Sequence, residues 1–436
     1  MRFGERDAGA SCGAGSRAQY SDVHPLVHGC RPCQKIKGVG IQMSRANKSQ
    51  CTAVVLSAAL MAISLDTSAA LQPVQTPTDR NDTVEVTLDR GAPPDAVVIF
   101  NKASGGYDTA APHKWGENSW TCTSATDPAA GACPTEPIWS SSSPTSIKLE
   151  FKEETTGATI VLNLEGTKLA AIHIDCSDIL IPAADVSPNT AIEEYKYWRL
   201  WCGGTSGKVI NQDERQLTVK IPTGELKKIP TGGVWKANLV LNLRQRNDTG
   251  THPKIAVFKA AIKLDVTDKN NIQIYLPEFT NATPVVDLKL RKLPNGSRMS
   301  GTSNVDMCLY DGYNSQSTWF DVSASDGLTI DRRDKGQYSV LLDKDKSGAY
   351  ESRIDYNVSL TYAGKKIVLP NNETVRLQGV NNSAGRSVSL PGISVPVICT
   401  PTPLTLETPE FQSVWKRPGK YSSKLTITFT PSSASL

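Results

Sequence analysis

Apolar and polar residues alternate with a period of two in one short segment after another, and this pattern constrains the fold more than any other feature of the sequence. The alternation is clearest in four segments, 83–88, 147–152, 217–221 and 425–430. A period of two is typical of β-strands that bury one face. Turn-favouring clusters of Gly, Pro, Asn and Asp separate such segments, at 222–224, 230–233, 294–297 and 370–372. One helical turn is suggested at 224–228. The sequence therefore predicts an all-β fold made of β-sandwiches.

The chain is long enough for more than one such domain. Its 436 residues allow two or three domains at a prior of roughly 150 residues each. Pro277 to Pro284 interrupts two strand-like stretches and is the predicted linker. We therefore expect two β-sandwich domains in tandem, at 71–279 and 280–436.

The N-terminal region has the features of an export signal. Arg45 and Lys48 precede an uncharged run at 51–65, and small residues follow up to Ala70. As a helix this run would measure about 22 Å, too short for a hydrocarbon core of about 30 Å. We expect residues 43–70 to be a cleaved signal peptide, and residues 1–42 to be an over-extended translation start. The mature protein is then exported without a transmembrane helix.

The cysteine count agrees with an oxidising compartment. Four of the ten cysteines precede residue 71, which leaves six in the expected mature chain, namely Cys122, Cys133, Cys176, Cys202, Cys308 and Cys399. An even number in an exported protein predicts three disulfides. Their spacing groups them as 122 with 133, 176 with 202 and 308 with 399, although six cysteines allow 15 pairings.

Charge and motifs point away from nucleic acid and from catalysis. The 47 basic and 43 acidic residues leave a net charge of +4, spread too evenly for a nucleic-acid surface. No nucleophile elbow or phosphate-binding glycine loop occurs. Glu193 and Glu194 are adjacent and would point to opposite faces of a strand, which is unsuitable for a glycosidase pair. We expect no enzymatic activity and no cofactor.

The sequence likewise predicts no metal site. The mature chain's three histidines, His113, His173 and His252, form no ligand motif. Residues 343–348 resemble the start of a calcium loop, but Ile354 stands where a bidentate carboxylate is needed. A charged hairpin turn accounts better for this segment.

Aromatic residues are concentrated in the first half of the chain. It contains six of the eight tryptophans, and the densest cluster is 195–201, Tyr-Lys-Tyr-Trp-Arg-Leu-Trp. Exposed rings beside cations can bind sugars or a protein surface. Packing in the sandwich core is the alternative explanation.

The last predicted strand, 424–430, is followed by only six residues. In an exported β-sandwich, a terminal strand of this kind can leave a sheet edge that accepts a strand from another chain. An ordinary closed sandwich is the alternative.

Several sequence blocks in a fixed order resemble one known family. They are 221–226 (IPTGEL), 232–235 (GGVW), 271–277 (NIQIYLP), 305–313 (VDMCLYDGY), 393–399 (ISVPVIC) and 427–433 (ITFTPSS). They closely resemble the tip adhesins of class 5 fimbriae, the alternate chaperone-usher family of colonisation factor antigen I and of the cable-pilus initiators. The similarity runs with gaps from Asp89 to the C-terminus.

The resemblance implies an N-terminal adhesin domain and a C-terminal pilin domain, both immunoglobulin-like sandwiches, the second lacking its last strand. In that family a periplasmic chaperone fills the resulting groove, and the N-terminal extension of the next pilin, the major subunit, replaces it at an outer-membrane usher. Leu425, Ile427 and Phe429 match the edge of this groove. The resemblance thus implies a minor tip subunit, exported through the periplasm to the cell surface, that initiates pilus assembly and contacts host receptors, commonly glycans.

The family's receptor site is a cluster of arginines, which this sequence keeps only in part. The matching positions are Glu117, Gln245 and Arg246, with Arg244 beside them. If the alternating leucines at 239–243 face the core, Arg244 and Arg246 project from the outer face and suit a carboxylate such as that of sialic acid. Two alternatives remain open, an assembly initiator that does not adhere and a secreted carbohydrate hydrolase.

Overall fold

The structure is a computed structural model, and it describes residues 73–435 except 204–206, 248, 282 and 295. The expected translation start at 1–42 and the expected signal peptide at 43–70 lie outside the described residues. Within the described residues, no helix is long and apolar enough to cross a membrane.

Strands dominate the first half of the described chain. They are β1 Val74–Gln75, β2 Arg80–Asp89, β3 Ala96–Asp108, β4 Ser119–Cys122, β5 Thr145–Glu153, β6 Thr159–Ile174, β7 Leu180–Asp185, β8 Arg199–Trp201, β9 Val209–Asn211, β10 Glu214–Pro222, β11 Gly233–Arg244 and β12 Lys254–Thr267. A single helical turn, α1 Thr223–Leu226, lies where the sequence suggested one.

Ten of these strands form one large sheet that wraps around the first core. Its order is β1-β3-β10-β6-β5-β11-β12-β2, with β4 beside β11 and β7 beside β6, while β8 and β9 form a separate pair. β12 runs parallel to β2 and antiparallel to β11. The period-two prediction is confirmed in β5, where Ile147, Leu149 and Phe151 are fully buried and Lys148 and Lys152 are exposed.

The second half is also built of strands. They are β13 Gln273–Tyr275, β14 Arg291–Lys292, β15 Arg298–Val305, β16 Cys308–Tyr310, β17 Trp319–Ser325, β18 Tyr338–Leu342, β19 Arg353–Tyr362, β20 Lys365–Leu369, β21 Thr374–Gln378, β22 Arg386–Val388, β23 Val397–Pro401, β24 Leu404–Gln412, β25 Tyr421–Ser422 and β26 Thr426–Pro431. Short 3₁₀ helices complete the chain, at Pro112–Lys114, Pro128–Ala130, Lys269–Asn271, Tyr350–Ser352, Val380–Asn382, Ser413–Trp415 and Ser432–Ser435.

Three sheets enclose the second core. Their orders are β13-β16-β23-β22, β14-β15-β24-β19-β18-β25 with β20 beside β19, and β21-β17-β26. β13 pairs with β16, so residues 273–275, which precede the predicted linker, pack with the second domain. The expected all-β architecture of two domains is confirmed.

The structure contains the three disulfides that the spacing suggested. They are Cys122–Cys133, Cys176–Cys202 and Cys308–Cys399, with Cα–Cα separations of 5.2, 5.6 and 5.8 Å. No bridge among them crosses from one domain to the other. The third closes the longest stretch of chain because it joins β16 to β23.

Candidate receptor surface and strand-acceptor groove

β11 places two of the predicted receptor residues at one end of the first domain. Leu239, Leu241 and Leu243 are fully buried, whereas Arg244 and Arg246 are half-buried and lie on the outer side. The alternation expected for this strand is therefore present. β11 ends at Arg244, so Arg246 belongs to the loop that leads into β12.

Glu117 lies next to Arg246 and neutralises part of its charge. The Arg246 Nη1 donates to Glu117 Oε2, and the two side chains are 35% and 7% exposed. The other carboxylate oxygen lies 2.9 Å from His113 Nδ1. The acidic residue at this position is thus a buried partner that orients the guanidinium, and only part of Arg246 faces solvent.

Arg244 is tied to the surrounding backbone more firmly than Arg246. Its Nε donates to Thr121 Oγ1 and its Nη1 to the His252 carbonyl, each at 3.0 Å. Its Nη2 lies 3.5 Å from Glu136 Oε1. Gln245 is half-buried, and its backbone N–H donates to the Pro253 carbonyl at 3.0 Å. These bonds close the loop between β11 and β12 and hold Arg246 at its tip.

The aromatic cluster and the arginines form one surface. The Arg246 guanidinium lies 5.1 Å from the ring centroid of Tyr195 and 6.0 Å from that of Trp139, within the range of cation–π attraction. Trp139 makes edge contacts with Tyr195 and Tyr197, and Arg199 lies 4.7 Å from the Tyr197 ring. We call Trp139, Tyr195, Tyr197, Arg199 and Arg246 the aromatic platform.

The sequence analysis treated the arginines and the 195–201 cluster as separate candidates, and it did not single out Trp139. The indole of Trp139 reaches the platform because Tyr195 N–H donates to the Ile138 carbonyl at 2.9 Å. The clustering of tryptophans in the first half was the available signal.

Buried polar groups hold the platform segment from below. Lys168 Nζ donates to the Glu194 carbonyl and, at 3.1 Å, to that of Asn118. Arg215 Nη2 donates to the Lys196 carbonyl, and Trp198 N–H donates to Gln212 Oε1 at 2.5 Å. Backbone groups of residues 194, 196 and 198 are thus anchored inward. The intervening Tyr195 and Tyr197 can then present their rings outward.

Burial changes the protonation of the groups around the platform. Burial lowers the pKa of Lys168 well below its usual value, and the nearby Arg215 acts in the same direction. Burial also lowers the pKa of Arg215 to about 10. Burial and the Arg246 charge lower the pKa of His252. His252 is therefore neutral at pH 7, and the positive charge of the surface comes from its arginines.

The last strand of the second domain has an unusual environment. β26 pairs with β17, and no other described strand pairs with it. Leu425, Ile427 and Phe429 pack against the second core but are only half-buried. Phe429 makes an edge contact with Phe320, with ring centroids 4.8 Å apart. These three side chains face the core without being covered.

A second row of half-buried apolar residues packs on the same core. Residues 284–290 are extended but belong to no described strand, and Val286 and Leu288 pack inward while Val285 is 95% exposed. The backbone of Leu288 lies directly against Gly301 of β15. We call this row and that of β26 together the strand-acceptor groove.

The segment that resembled a calcium loop is a charged turn. Asp343 accepts from Ser422 and Lys346, and Asp345 accepts from Ser352 and Arg417. Hydrogen bonds from Ser352 and Ser347 lower the pKa of Asp345 to about 2. Among the described residues, no group of acidic, histidine or cysteine side chains is arranged to hold a metal ion.

Both halves of the chain match domain models of one protein family, that of the CFA/I fimbrial protein CfaE. Residues 68–269 match the first domain of CfaE, and residues 272–433 match its second domain. The CfaE-type fimbrial protein of the CFA/I system of Escherichia coli is 30% identical over 358 residues, which cover 80% of this chain and 89% of that protein.

Solved structures agree with the sequence matches. The crystal structure of CfaE, the adhesive subunit of the CFA/I fimbria of enterotoxigenic Escherichia coli, matches with a TM-score of 0.65 at 27% identity and covers 83% of this chain and 94% of that one. A chaperone-tip adhesin complex of CFA/I fimbriae biogenesis matches with a TM-score of 0.59 at 27% identity, over 83% of this chain and 98% of that one.

Proposed function

Because this chain belongs to the CfaE family of CFA/I fimbrial proteins, we propose that it is the minor tip subunit of such a pilus, which binds a host receptor and initiates assembly. Members of this family are fimbrial proteins and not enzymes. The proposal gives each domain one task. The first domain binds the receptor, and the second accepts a strand from the next subunit.

The strand-acceptor groove is the observation that carries this proposal. Leu425, Ile427 and Phe429 alternate with polar residues, yet they are half-exposed above an otherwise buried core. A donor strand beside β26 would cover them and pair with the open backbone edge. The related chaperone-tip adhesin complex supports a chaperone as the first occupant. We expect the N-terminal segment of the major pilin to replace it at the usher.

A fused donor strand tests this part of the proposal. Each added backbone hydrogen bond contributes about 0.5 to 1.5 kcal/mol, and each newly buried apolar side chain roughly 1.5 to 3 kcal/mol. A strand of several residues then adds as much as the whole stability of a typical domain. Fusion of the major pilin's N-terminal segment after Leu436 should raise the Tm of the second domain sharply, as measured by calorimetry.

The matched control is a fusion of equal length in which serine replaces the inward apolar residues of the donor. It should leave the Tm almost unchanged, because it offers no side chains to cover Ile427 and Phe429. Equal Tm values for the unfused chain and the apolar fusion would mean that the second sandwich is already complete, which contradicts the proposal.

The aromatic platform is the proposed receptor surface. It combines exposed rings with two guanidinium groups, those of Arg199 and Arg246, and Trp139 remains 44% exposed. Rings and planar cations of this kind suit a glycan that carries a carboxylate. The exported protein, stabilised by the fused donor strand, should bind such a glycan in a screen of host glycans and surface proteins.

A pair of variants separates adhesion from assembly. Substitution of Arg246→Gln together with Glu117→Gln removes both charges, so no buried carboxylate is left unpaired. We expect at least about a tenfold loss of receptor binding with unchanged pilus assembly. The matched control is Lys236→Gln with Glu154→Gln, which removes an exposed ion pair whose lysine lies on the same strand. Assembly without any receptor binding by the wild type would instead support a non-adhesive initiator.

A further inference from the structure

The second domain carries a compact exposed apolar patch outside the groove. Tyr350, Val414 and Trp415 are 44%, 79% and 57% exposed. The rings of Tyr350 and Trp415 lie 6.4 Å apart. Lys416 Nζ lies 3.4 Å from the centroid of the Tyr350 ring and donates to its carbonyl at 2.5 Å. We call Tyr350, Val414 and Trp415 the distal patch.

The surroundings keep the distal patch in place. Arg417 donates to Asp345 at 2.9 Å and to Glu351 at 3.2 Å, and its backbone N–H donates to the Glu351 carbonyl at 2.8 Å. The loop that carries Val414 and Trp415 is thereby fixed against the turn that carries Tyr350. Large aromatic side chains presented on a fixed support are typical of protein interfaces.

The patch lies next to the beginning of β26. Tyr421, which precedes β26 by five residues, donates its hydroxyl to the Arg417 carbonyl at 2.6 Å and to that of Glu351 at 3.2 Å. The loop and the turn that form the patch therefore meet where the chain enters the edge of the strand-acceptor groove.

The end of β26 lies at the first domain. Ser433, just beyond this strand, donates its hydroxyl to the Asp311 carbonyl at 2.7 Å. The next residue, Gly312, accepts from the Asp268 N–H at 2.8 Å, and Asn314 Nδ2 donates to the Gly232 carbonyl at 2.8 Å. The first domain therefore occupies the space beyond the carboxyl end of β26.

This arrangement restricts the direction of a donor strand. An N-terminal extension continues at its own carboxyl end into the folded body of its subunit. If the extension ran parallel to β26, that body would collide with the first domain. An antiparallel extension instead places the body beside the start of β26, where the distal patch is exposed. Antiparallel pairing is also slightly more stable per residue.

We propose that the distal patch docks the folded body of the pilin subunit whose N-terminal strand fills the groove. This inference rests on the proposed function and adds a second contact between the same two subunits. The strand supplies most of the binding, and the patch fixes the orientation of the incoming subunit and slows its release.

The test compares a whole subunit with its isolated strand. The probes are the major pilin that assembles with this chain and a synthetic peptide of its N-terminal extension. Substitution of Val414→Ser with Trp415→Ser in the exported protein should leave peptide binding unchanged and speed dissociation of the whole pilin by about tenfold. The control is Val368→Ser, which alters a 61% exposed valine on β20 and should change neither rate.

The outcomes separate the two proposals. Wild-type protein that does not bind the peptide contradicts the groove, and the docking inference falls with it. Peptide binding with equal pilin dissociation from wild type and variant overturns only the docking inference. Equal weakening of peptide and pilin also overturns it, because the patch would then act through the fold. Faster release of the chaperone alone would assign the patch to the chaperone.

Discussion

The final strands of the two domains share one alternating pattern but lie in different surroundings. β12 of the first domain lies between β11 and β2, and its inward residues Ile262 and Leu264 are 2% and 0% exposed. β26 of the second domain pairs only with β17 among the described strands, and Ile427 and Phe429 remain half-exposed. Alternation thus identifies the residues that favour burial, and neighbouring strands decide whether they are buried.

This difference matches a division of labour between the domains. A receptor surface needs side chains held in fixed positions, and the first domain provides them through a paired sheet and the buried anchors Lys168 and Arg215. A subunit that polymerises needs an edge that another chain can complete. An incomplete second domain provides that edge, at the expense of its own stability.

The disulfides test how far each domain depends on a cross-link. Cys308–Cys399 closes a sequence separation of 91, against 11 for Cys122–Cys133. In the chain-entropy model, loss of the longer link costs on the order of 4 to 5 kcal/mol and loss of the shorter about 3 kcal/mol. We expect Cys308→Ala with Cys399→Ala to unfold the uncomplemented second domain at about 37 °C, as measured by circular dichroism.

The matched pair Cys122→Ala with Cys133→Ala should leave the first domain folded at the same temperature, because its paired sheet provides stability of its own. Similar losses of stability in the two domains would contradict the view that the second domain is the incomplete one.

Truncations on the two final strands sharpen the comparison. Leu264→Ala should cost about 2 to 5 kcal/mol, because Leu264 is fully buried whether or not a donor strand is present. Ile427→Ala should cost about 1 kcal/mol or less in the chain alone, because water already reaches its side chain. In the chain with the fused donor strand, its cost should rise toward that of a buried residue.

Urea unfolding with and without the fusion measures both costs. A large cost for Ile427→Ala in the unfused chain would show that its side chain is already covered. A cost that stays small after fusion would show that the donor does not lie over β26.

The smallest expected effect is a pH dependence confined to the first domain. His173 Nδ1 lies 2.8 Å from Asp213 Oδ1, and the second domain contains no histidine. Burial opposes protonation of His173, but the hydrogen bond and charge of Asp213 outweigh it, so the net pKa is raised. Its stabilising contribution is therefore complete below the unfolded pKa, near 6.5, and is lost as the pH rises through the folded pKa.

We expect His173→Gln to lower the Tm of the first domain more at about pH 6 than at about pH 8.5. The buried tryptophans Trp120 and Trp235 allow this transition to be followed by fluorescence. The transition of the second domain should not respond, and an equal response in both domains would refute the assignment to His173.

The candidate site was predictable only in pieces. The resemblance to tip adhesins indicated Arg246 and Glu117, and aromatic density indicated the 195–201 segment. Nothing in the sequence joined these pieces, because Trp139, Tyr195 and Arg246 come from distant parts of the chain. Sheet pairing and the loop after β11 bring them together. The ion pair between Arg246 and Glu117 likewise required the folded chain.

The sequence by itself determined the all-β class, the inward face of each strand and the cysteines that pair, because alternation and short spacings act locally. Only the tertiary structure decided which strands are covered and which side chains meet. Ile262 and Ile427 follow the same alternating rule, yet among the described strands β12 has neighbours on both edges and β26 has one. The order of strands in a sheet depends on contacts between distant segments, and a local pattern cannot specify them.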